Sequence, residues 1–221
     1  MTTKILIADD HPLFREAMKQ VLPEVISDCD ILEAESFYQL QETLKISSNI
    51  DLLLMDLHMP GNNGFAGLTS IKTEYPSIAV VMVSATDSAK IIRRSFDFGA
   101  SGYIPKSSAF DIIKQAIKCV MNGDIWMPDH LKSEVESADP NDNEFAIKIA
   151  SLTPQQFKVL SMIADGQLNK QIAYDLDIRE TTVKQHVSSI LRKLKVINRT
   201  GAGIMYNQLQ VENSSNQLTE K

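Results

Sequence analysis

The chain has 221 residues, 43% of them hydrophobic, with two cysteines and a formal net charge of −6. That length allows one large domain or two modest ones, and that apolar share excludes an intrinsically disordered chain. No apolar run approaches the roughly 20 residues that span a bilayer, and the first ten residues run into a strand without a signal-peptide pattern, so a cytoplasmic protein with no membrane part is expected.

Strand-like runs alternate with helical ones through the first half. KILIA, CDILEA, DLLLMD, AVVMVS and GYI are apolar and β-rich, and segments of helical period lie at 12–22, 36–46, 64–75, 88–98 and 108–122. Five repeats of strand then helix predict a parallel sheet covered on both faces. From residue 128 to 150 the chain turns polar, with Pro128, Pro140 and the string DPNDNE, which reads as a linker with a short helix over 144–150. Four helical segments follow at about 153–164, 169–176, 180–194 and 200–207, and residues 208–221 lack apolar periodicity and are expected to be disordered. The predicted division is therefore 1–127, 128–150, 151–207 and 208–221.

Charge changes sign along these divisions. Residues 1–127 carry 11 Lys and Arg against 16 Asp and Glu, residues 128–150 carry 2 against 6, and residues 151–207 carry 8 against 4. An acidic portion followed by a small basic one predicts that only the second meets a polyanion. Cys29 and Cys119 have no metal-ligand spacing and read as reduced thiols. His11, His58, His130 and His186 are scattered with no zinc spacing, and the His58 ring, in a loop after a strand, is expected to face solvent.

The chemistry sits where the strands end. Asp9 and Asp10 follow the first run, Asp56 closes the third, Ser84 the fourth, and Lys106 follows the fifth. In an open parallel sheet such side chains converge on one crevice outside the carboxyl ends of the strands. Three carboxylates there repel one another unless a cation neutralises them, and an oxygen-only cluster selects a hard divalent ion, with Mg²⁺ the natural candidate. Mg²⁺ takes one or two carboxylates plus a phosphate oxygen, which leaves one carboxylate free as a nucleophile. Lys106 and Ser84 could then meet the oxygens of a transferred phosphoryl group.

These motifs as a set, DD, DLHMPGNNG, VSA and GYIPKS, make residues 1–127 resemble the receiver domain of two-component response regulators. The resemblance implies a flavodoxin-like, doubly wound parallel α/β sheet of five strands. It implies that Asp56 accepts a phosphoryl group from a sensor histidine kinase, that Asp9, Asp10, Asp56 and the backbone carbonyl of His58 hold Mg²⁺, and that Lys106 contacts the phosphoryl oxygens. It also implies that Ser84 and Tyr103 form a switch pair, the hydroxyl moving to the phosphoryl group and the ring turning inward behind it.

In the basic portion, Val183, Val187, Ile190, Leu191 and Leu194 make one apolar stripe along a helix. The opposite face is Gln185, Ser188, Ser189 and Arg192, flanked by Lys184 and Lys195, a slender polar and cationic surface of the kind a recognition helix carries into a major groove. LTPQQFKVLSMIADG, NKQIAYDL, TTVKQHVSSILRKLKV and NRT are in register with the small all-α, four-helix helix-turn-helix domain of the LuxR type, so that the ordered chain resembles the NarL/FixJ subfamily of transcriptional response regulators. By that resemblance Lys184, Gln185 and Ser188 face base edges of double-stranded DNA. Asn169, Lys170, Thr181, Thr182, Arg192, Lys195 and Arg199 are phosphate or positioning contacts. The last helix mediates a homodimer, weak without phosphorylation because Gly201 and Gly203 each cost roughly 1 kcal/mol in a helix. Arg179 stands where relatives have a serine before the recognition helix and is a poorer N-cap.

Two other readings compete. A Mg²⁺-dependent phosphohydrolase would use the same aspartyl chemistry, but commonly needs a second acid two residues after the nucleophile, where this chain has His58. A DNA binder with a receiver that no longer signals by phosphorylation is the other.

Overall fold

The computed structural model describes residues 2–47, 49–62, 64–133 and 140–209. Residues 134–139 of the predicted linker and the expected disordered tail from 210 onward lie outside the described residues. Strands β1 (Thr3–Ala8), β2 (Cys29–Ala34), β3 (Leu52–Asp56), β4 (Ala79–Ser84) and β5 (Gly102–Pro105) form one parallel sheet in the order β2-β1-β3-β4-β5. Helices α1 (Pro12–Val25), α2 (Phe37–Ile46), α3 (Phe65–Glu74), α4 (Ala89–Asp97) and α5 (Phe110–Met121) connect and cover it. This is the doubly wound, flavodoxin-like arrangement.

Side-chain alternation along the strands divides the sheet between two cores. Ile5, Ile7, Leu52, Leu54, Val81, Val83 and Ile104 face α1 and α5, where Met18, Leu22, Ile113 and Ile117 meet them. Leu6, Ala8, Leu53, Met55, Val80, Met82 and Tyr103 face the other way, toward Leu40, Leu68, Ile71 and Ile92. All five positions of β3 are buried, as a central strand covered on both sides requires. Each buried Leu, Ile or Val contributes roughly 1.5–3 kcal/mol, and this pattern fixes the register, since a one-residue slip would exchange the two faces.

Two local features depart from simple sequence rules. Helix α1 runs through Pro23 to Val25 rather than ending at residue 22, because Val25 and Ile26 still pack against the core on its face of the sheet. Pro105 lies within β5, which is tolerable on an edge strand, where a missing N–H need break no ladder bond.

Beyond a short 3₁₀ turn (Asp129–Leu131) come α6 (Pro140–Ala150), α7 (Pro154–Ala164), α8 (Asn169–Asp175), α9 (Glu180–Leu194) and α10 (Arg199–Asn207). Helix α6 is longer than the segment expected at 144–150. Its proline at the first position has no N–H to leave unsatisfied, and Ala146 and Ile149 are buried, so packing extends what the polar composition hid. Helix α7 starts at a capping box, with Thr153 Oγ1 accepting the Gln156 N–H at 3.3 Å and Gln156 Oε1 accepting the Thr153 N–H at 3.2 Å. Phe157, Leu160, Ile172, Val183, Ile190, Leu194, Ala202 and Tyr206 form the core of the helical domain.

That core is continuous with one core of the sheet domain through α3, α4 and α6. Phe98, at the end of α4, stacks on Phe65 at a centroid distance of 5.5 Å and meets Phe145 of α6 edge-on at 5.9 Å. Arg94, only 6% exposed, holds its guanidinium 4.8 Å from the Phe65 ring centroid and 5.7 Å from that of Phe98. It donates to the carbonyl of Gln208 at 3.1 Å, just beyond α10. A desolvated cation over aromatic rings contributes roughly 2 kcal/mol or more.

Arg94→Ala is expected to loosen the docking of the two domains without unfolding either. Small-angle scattering should give a larger radius of gyration and hydrogen exchange should speed at α10 while circular dichroism stays unchanged. An unaltered radius with unaltered exchange would show that the apolar contacts alone hold the domains together.

Candidate functional site

Strand order reverses between β1 and β3, so the segments leaving these two neighbouring strands diverge and leave a crevice at their carboxyl ends. Asp9 and Asp56 line it and are 1% and 2% exposed. The Asp9 N–H donates to the Ala34 carbonyl at 3.0 Å, continuing the β1–β2 ladder one residue past the strand. Lys106 follows β5 across the sheet, and its own N–H is fixed to the Ser84 carbonyl at 2.7 Å. From there the side chain returns to the crevice, where Nζ lies 3.0 Å from Asp9 Oδ1, 2.8 Å from Asp9 Oδ2 and 2.9 Å from Asp56 Oδ2. An ammonium shared by two buried carboxylates is the central charge arrangement of the domain.

Further groups hold these carboxylates in place. The His58 N–H donates to Asp56 Oδ1 at 3.1 Å, while the His58 residue itself is exposed. Buried Asn62 donates from Nδ2 to the carbonyls of Asp56 at 3.3 Å and Leu57 at 2.8 Å, shaping the loop after β3. Arg15 donates to the Asp9 carbonyl at 2.7 Å and to Glu33 Oε2 at 3.0 Å. Hydrogen bonds from Lys19 first, and from Arg15, hold the Glu33 carboxyl below the ordinary carboxylate range against an opposing effect of burial.

His11 joins the cluster. Its N–H donates to Asp9 Oδ1 at 2.8 Å, and its ring Nδ1 lies 2.7 Å from Asp10 Oδ1, 3.1 Å from Asp9 Oδ1 and 3.2 Å from Lys106 Nζ. One ligand atom from each of Asp9, Asp10, His11 and Asp56 falls within 4.8 Å of all the others. Asp9 Oδ2 and Asp10 Oδ1 are buried and accept no hydrogen bond of good geometry, although Lys106 and His11 stand near them as charged or polar neighbours.

Ser84 and Tyr103 are both completely buried. Ser84 Oγ accepts the Thr86 N–H at 3.3 Å, and the Tyr103 hydroxyl donates to the Thr86 carbonyl at 2.8 Å. The two members of the expected switch pair thus clasp one residue of the β4–α4 loop, with the Tyr103 ring directed inward.

In the helical domain, Val183, Ile190 and Leu194 are buried beneath α9, and Lys184, Gln185, Ser188 and Arg192 are exposed on its outer side with Thr181. Thr182 is half-buried. Lys184 pairs with Glu180 one turn back at 2.9 Å. Ser189 belongs to the support rather than the outer face, since it accepts from Gln156 Nε2 at 3.1 Å. Lys193 ties the same region down, donating to the Ser151 carbonyl at 2.6 Å and Gln156 Oε1 at 2.8 Å. Arg179 precedes α9 with no side-chain cap bond. Lys195 ends α9 in the left-handed conformation, and it and Lys170 are exposed. Arg199 donates to Asn169 Oδ1 at 2.7 Å and to the Gln167 carbonyl, which makes this pair a brace between α8 and α10.

Reasoning from sequence missed Arg15, Glu33, Asn62 and His11 as parts of the site. Arg15 and Glu33 meet only through the β1–β2 pairing, which spacing does not reveal. His11 was visible as the neighbour of Asp10, but a lone imidazole has meaning only once its ring is placed over the carboxylates.

With this geometry in hand, the likeness to known proteins is informative. Residues 5–118 match the response regulator receiver domain, and residues 150–206 match the LuxR family of bacterial regulatory proteins. The chain is 41% identical over 204 residues to the glycerol metabolism activator of Pseudomonas putida, covering 90% of this chain and 92% of that one. It is 31% identical over 212 residues to the nitrate/nitrite response regulator protein NarL of Escherichia coli K12, covering 94% and 96%. A solved structure of RcsB from Salmonella enterica serovar Typhimurium, bound to a promoter in the presence of the phosphomimetic BeF₃⁻, shares the fold at a TM-score of 0.57 and 23% identity, covering 96% of this chain and 100% of that chain. A receiver sheet carrying the acidic crevice, followed by a LuxR-type helical domain, places this chain in the NarL/FixJ-type family of response regulators.

Proposed function

We propose that the chain is a phosphorylation-regulated transcriptional regulator, in which Asp56 accepts a phosphoryl group from a sensor histidine kinase with Mg²⁺ and the helical domain binds double-stranded DNA as a homodimer. The observation that carries this reading is the buried Asp56 carboxylate with Lys106 Nζ 2.9 Å away, in the crevice it shares with Asp9 and Asp10.

The donor set fits a hard divalent cation. Three carboxylates cluster where one ammonium reaches two of them, Asp9 Oδ2 and Asp10 Oδ1 accept no hydrogen bond of good geometry, and oxygen donors of this kind suit Mg²⁺. Asp9, Asp10, Asp56 and the His58 carbonyl would hold the ion, which when bound supplies charge neutralisation for the incoming phosphoryl oxygens. An Asp56 carboxylate oxygen forms a bond to phosphorus as the phosphorus–nitrogen bond to the donor imidazole breaks, and that nitrogen takes up a proton. Lys106 then turns to the phosphoryl oxygens, and the Ser84 hydroxyl leaves Thr86 to donate to one of them. The new charge, about −1.5 to −2, thereby acts on the β4–α4 loop.

Reading of DNA falls to α9. Lys184, Gln185 and Ser188 face base edges, where an ammonium donates to guanine acceptors and an amide both donates and accepts at adenine. Thr181, Thr182, Lys170, Arg192 and Lys195 lie toward the phosphates, and Asn169 and Arg199 position α8 for them. The last helix, with Ile204 exposed at 59%, forms the dimer contact. The relatives named above are regulators, and His58 stands where a phosphohydrolase would place its second acid, so turnover of a small phosphoester is not assigned. A regulator of this kind works in the cytoplasm, and no described helix is long and apolar enough to cross a membrane.

Asp56→Asn should abolish labelling by a small phosphodonor with Mg²⁺, read by phosphate-affinity electrophoresis; retention of the label would place the acceptor elsewhere. Lys106→Ala should leave two buried carboxylates without their cation, at a cost of about 3–5 kcal/mol in urea titrations with chelator. Added Mg²⁺ should restore more stability to this variant than to the parent chain, and equal restoration would separate the ammonium from the ion site. Lys184→Ala should weaken binding to a selected DNA site by about 1–3 kcal/mol with little change on unrelated DNA. Equal loss on both would demote Lys184 to a phosphate contact.

A further inference from the structure

The imidazole of His11 is not among the groups proposed to hold Mg²⁺, yet its Nδ1 lies 2.7 Å from Asp10 Oδ1, 3.1 Å from Asp9 Oδ1 and 3.2 Å from Lys106 Nζ. We infer that His11 makes the crevice a second kind of metal site, a mixed nitrogen and oxygen site for a borderline transition ion such as Zn²⁺, whose occupancy blocks phosphoryl transfer. The inference rests on reading the crevice as a divalent-cation site and deepens it by naming a competitor.

The four ligand atoms offered by Asp9, Asp10, His11 and Asp56 all fall within 4.8 Å of one another, close enough for one ion to reach each. A metal–ligand distance near 2.0–2.2 Å places ligands of one ion no more than about 4.4 Å apart, so a small side-chain adjustment closes the set. Asp9, 1% exposed, keeps a buried Oδ2 that accepts no hydrogen bond of good geometry. Lys106 Nζ stands 2.8 Å from that oxygen and 3.2 Å from His11 Nδ1, so the ammonium and a bound ion compete for the same donors.

Ligand chemistry separates the two ions. Mg²⁺ is hard, prefers oxygen and keeps several waters in an octahedral shell, so it gains little from an imidazole and retains a position for a phosphoryl oxygen. Zn²⁺ binds imidazole well and is satisfied by four protein ligands, and a tetrahedral site so filled is closed. Three carboxylates and one imidazole make up that number. With Zn²⁺ in place Asp9, Asp10, His11 and Asp56 would fill all four positions, and none would remain for an oxygen of the incoming group. The imidazole ring is largely exposed, with 64% of its side-chain surface accessible, so an ion can enter without opening the fold.

The test uses the full chain after chelator treatment, with Zn²⁺ titrated against a chromogenic chelator and Mg²⁺ measured separately by calorimetry. Wild type should bind one Zn²⁺ at least tenfold more tightly than His11→Gln, with Mg²⁺ affinity changed less than twofold, and Mg²⁺ should compete with that Zn²⁺. Equal Zn²⁺ affinity in the two proteins, or Zn²⁺ that Mg²⁺ cannot displace, would overturn the inference. In a second arm, equimolar Zn²⁺ should suppress phosphodonor labelling of wild type in Mg²⁺ buffer and leave His11→Gln at its own zinc-free level; equal suppression of both would also overturn it. Failure of wild type to label in Mg²⁺ alone would instead sink the phosphoacceptor reading, leaving the binding result to stand by itself.

Discussion

One ammonium shared between two buried carboxylates organises the receiver. Asp9 and Asp56 are only 1% and 2% exposed, and Lys106 reaches both from the far side of the sheet, so neither carboxylate is buried without a cationic partner. The strand order makes this reach possible. β1 and β3 are neighbours, so their terminal acids converge, and β5 lies two strands beyond β3, so the long side chain of Lys106, just past β5, is what brings a cation back to them. The apolar strands thus deliver charges that apolar packing alone would disfavour, and the charges in turn demand a cation at that one place.

A continuous physical route leads from this crevice to the helical domain. The Lys106 N–H is bonded to the Ser84 carbonyl, the Ser84 hydroxyl to the Thr86 N–H, and the Thr86 carbonyl to the Tyr103 hydroxyl. Thr86 lies three residues before α4, and α4 carries Arg94, with Phe98 directly after it, against Phe65, Phe145 and the carbonyl of Gln208. Under the proposed switch, withdrawing the Ser84 hydroxyl removes one of the two hydrogen bonds made by the Thr86 backbone. The effect is local, and α4 is the rigid body that would carry it to the domain junction.

Much of this was readable in the chain. The five strand runs and the acids at their ends place the crevice, because period-two burial and a parallel sheet leave few other arrangements. The stripe of Val183, Ile190 and Leu194 likewise fixes which side of α9 is free. What could not be read depends on contacts between segments distant in sequence. Arg94 looks like an ordinary helix cation until α6 and α10 approach it, and α6 itself is masked by the polar string that precedes its buried Ala146 and Ile149. Ser189 looks like part of the groove-facing surface until Gln156 is found beside it. Local pattern determines which face of an element is apolar, whereas the partner of a polar group is set by the tertiary fold.

The docked arrangement also constrains how DNA binding could be regulated. Lys184, Gln185, Ser188, Arg192 and Lys195 are exposed while α4, α6 and α10 are packed together, so docking leaves the outer face of α9 uncovered within one chain. What docking does restrain is the end of α10, where Gln208 is bonded to Arg94 and Leu209 is 1% exposed. A palindromic site requires two recognition helices about one DNA turn apart, roughly 34 Å, and their spacing is set by the dimer contact rather than by either face alone. Under the proposed dimer, control applied at the end of α10 would act on how two copies are placed, and a single copy with an open α9 would still bind weakly through its basic charge.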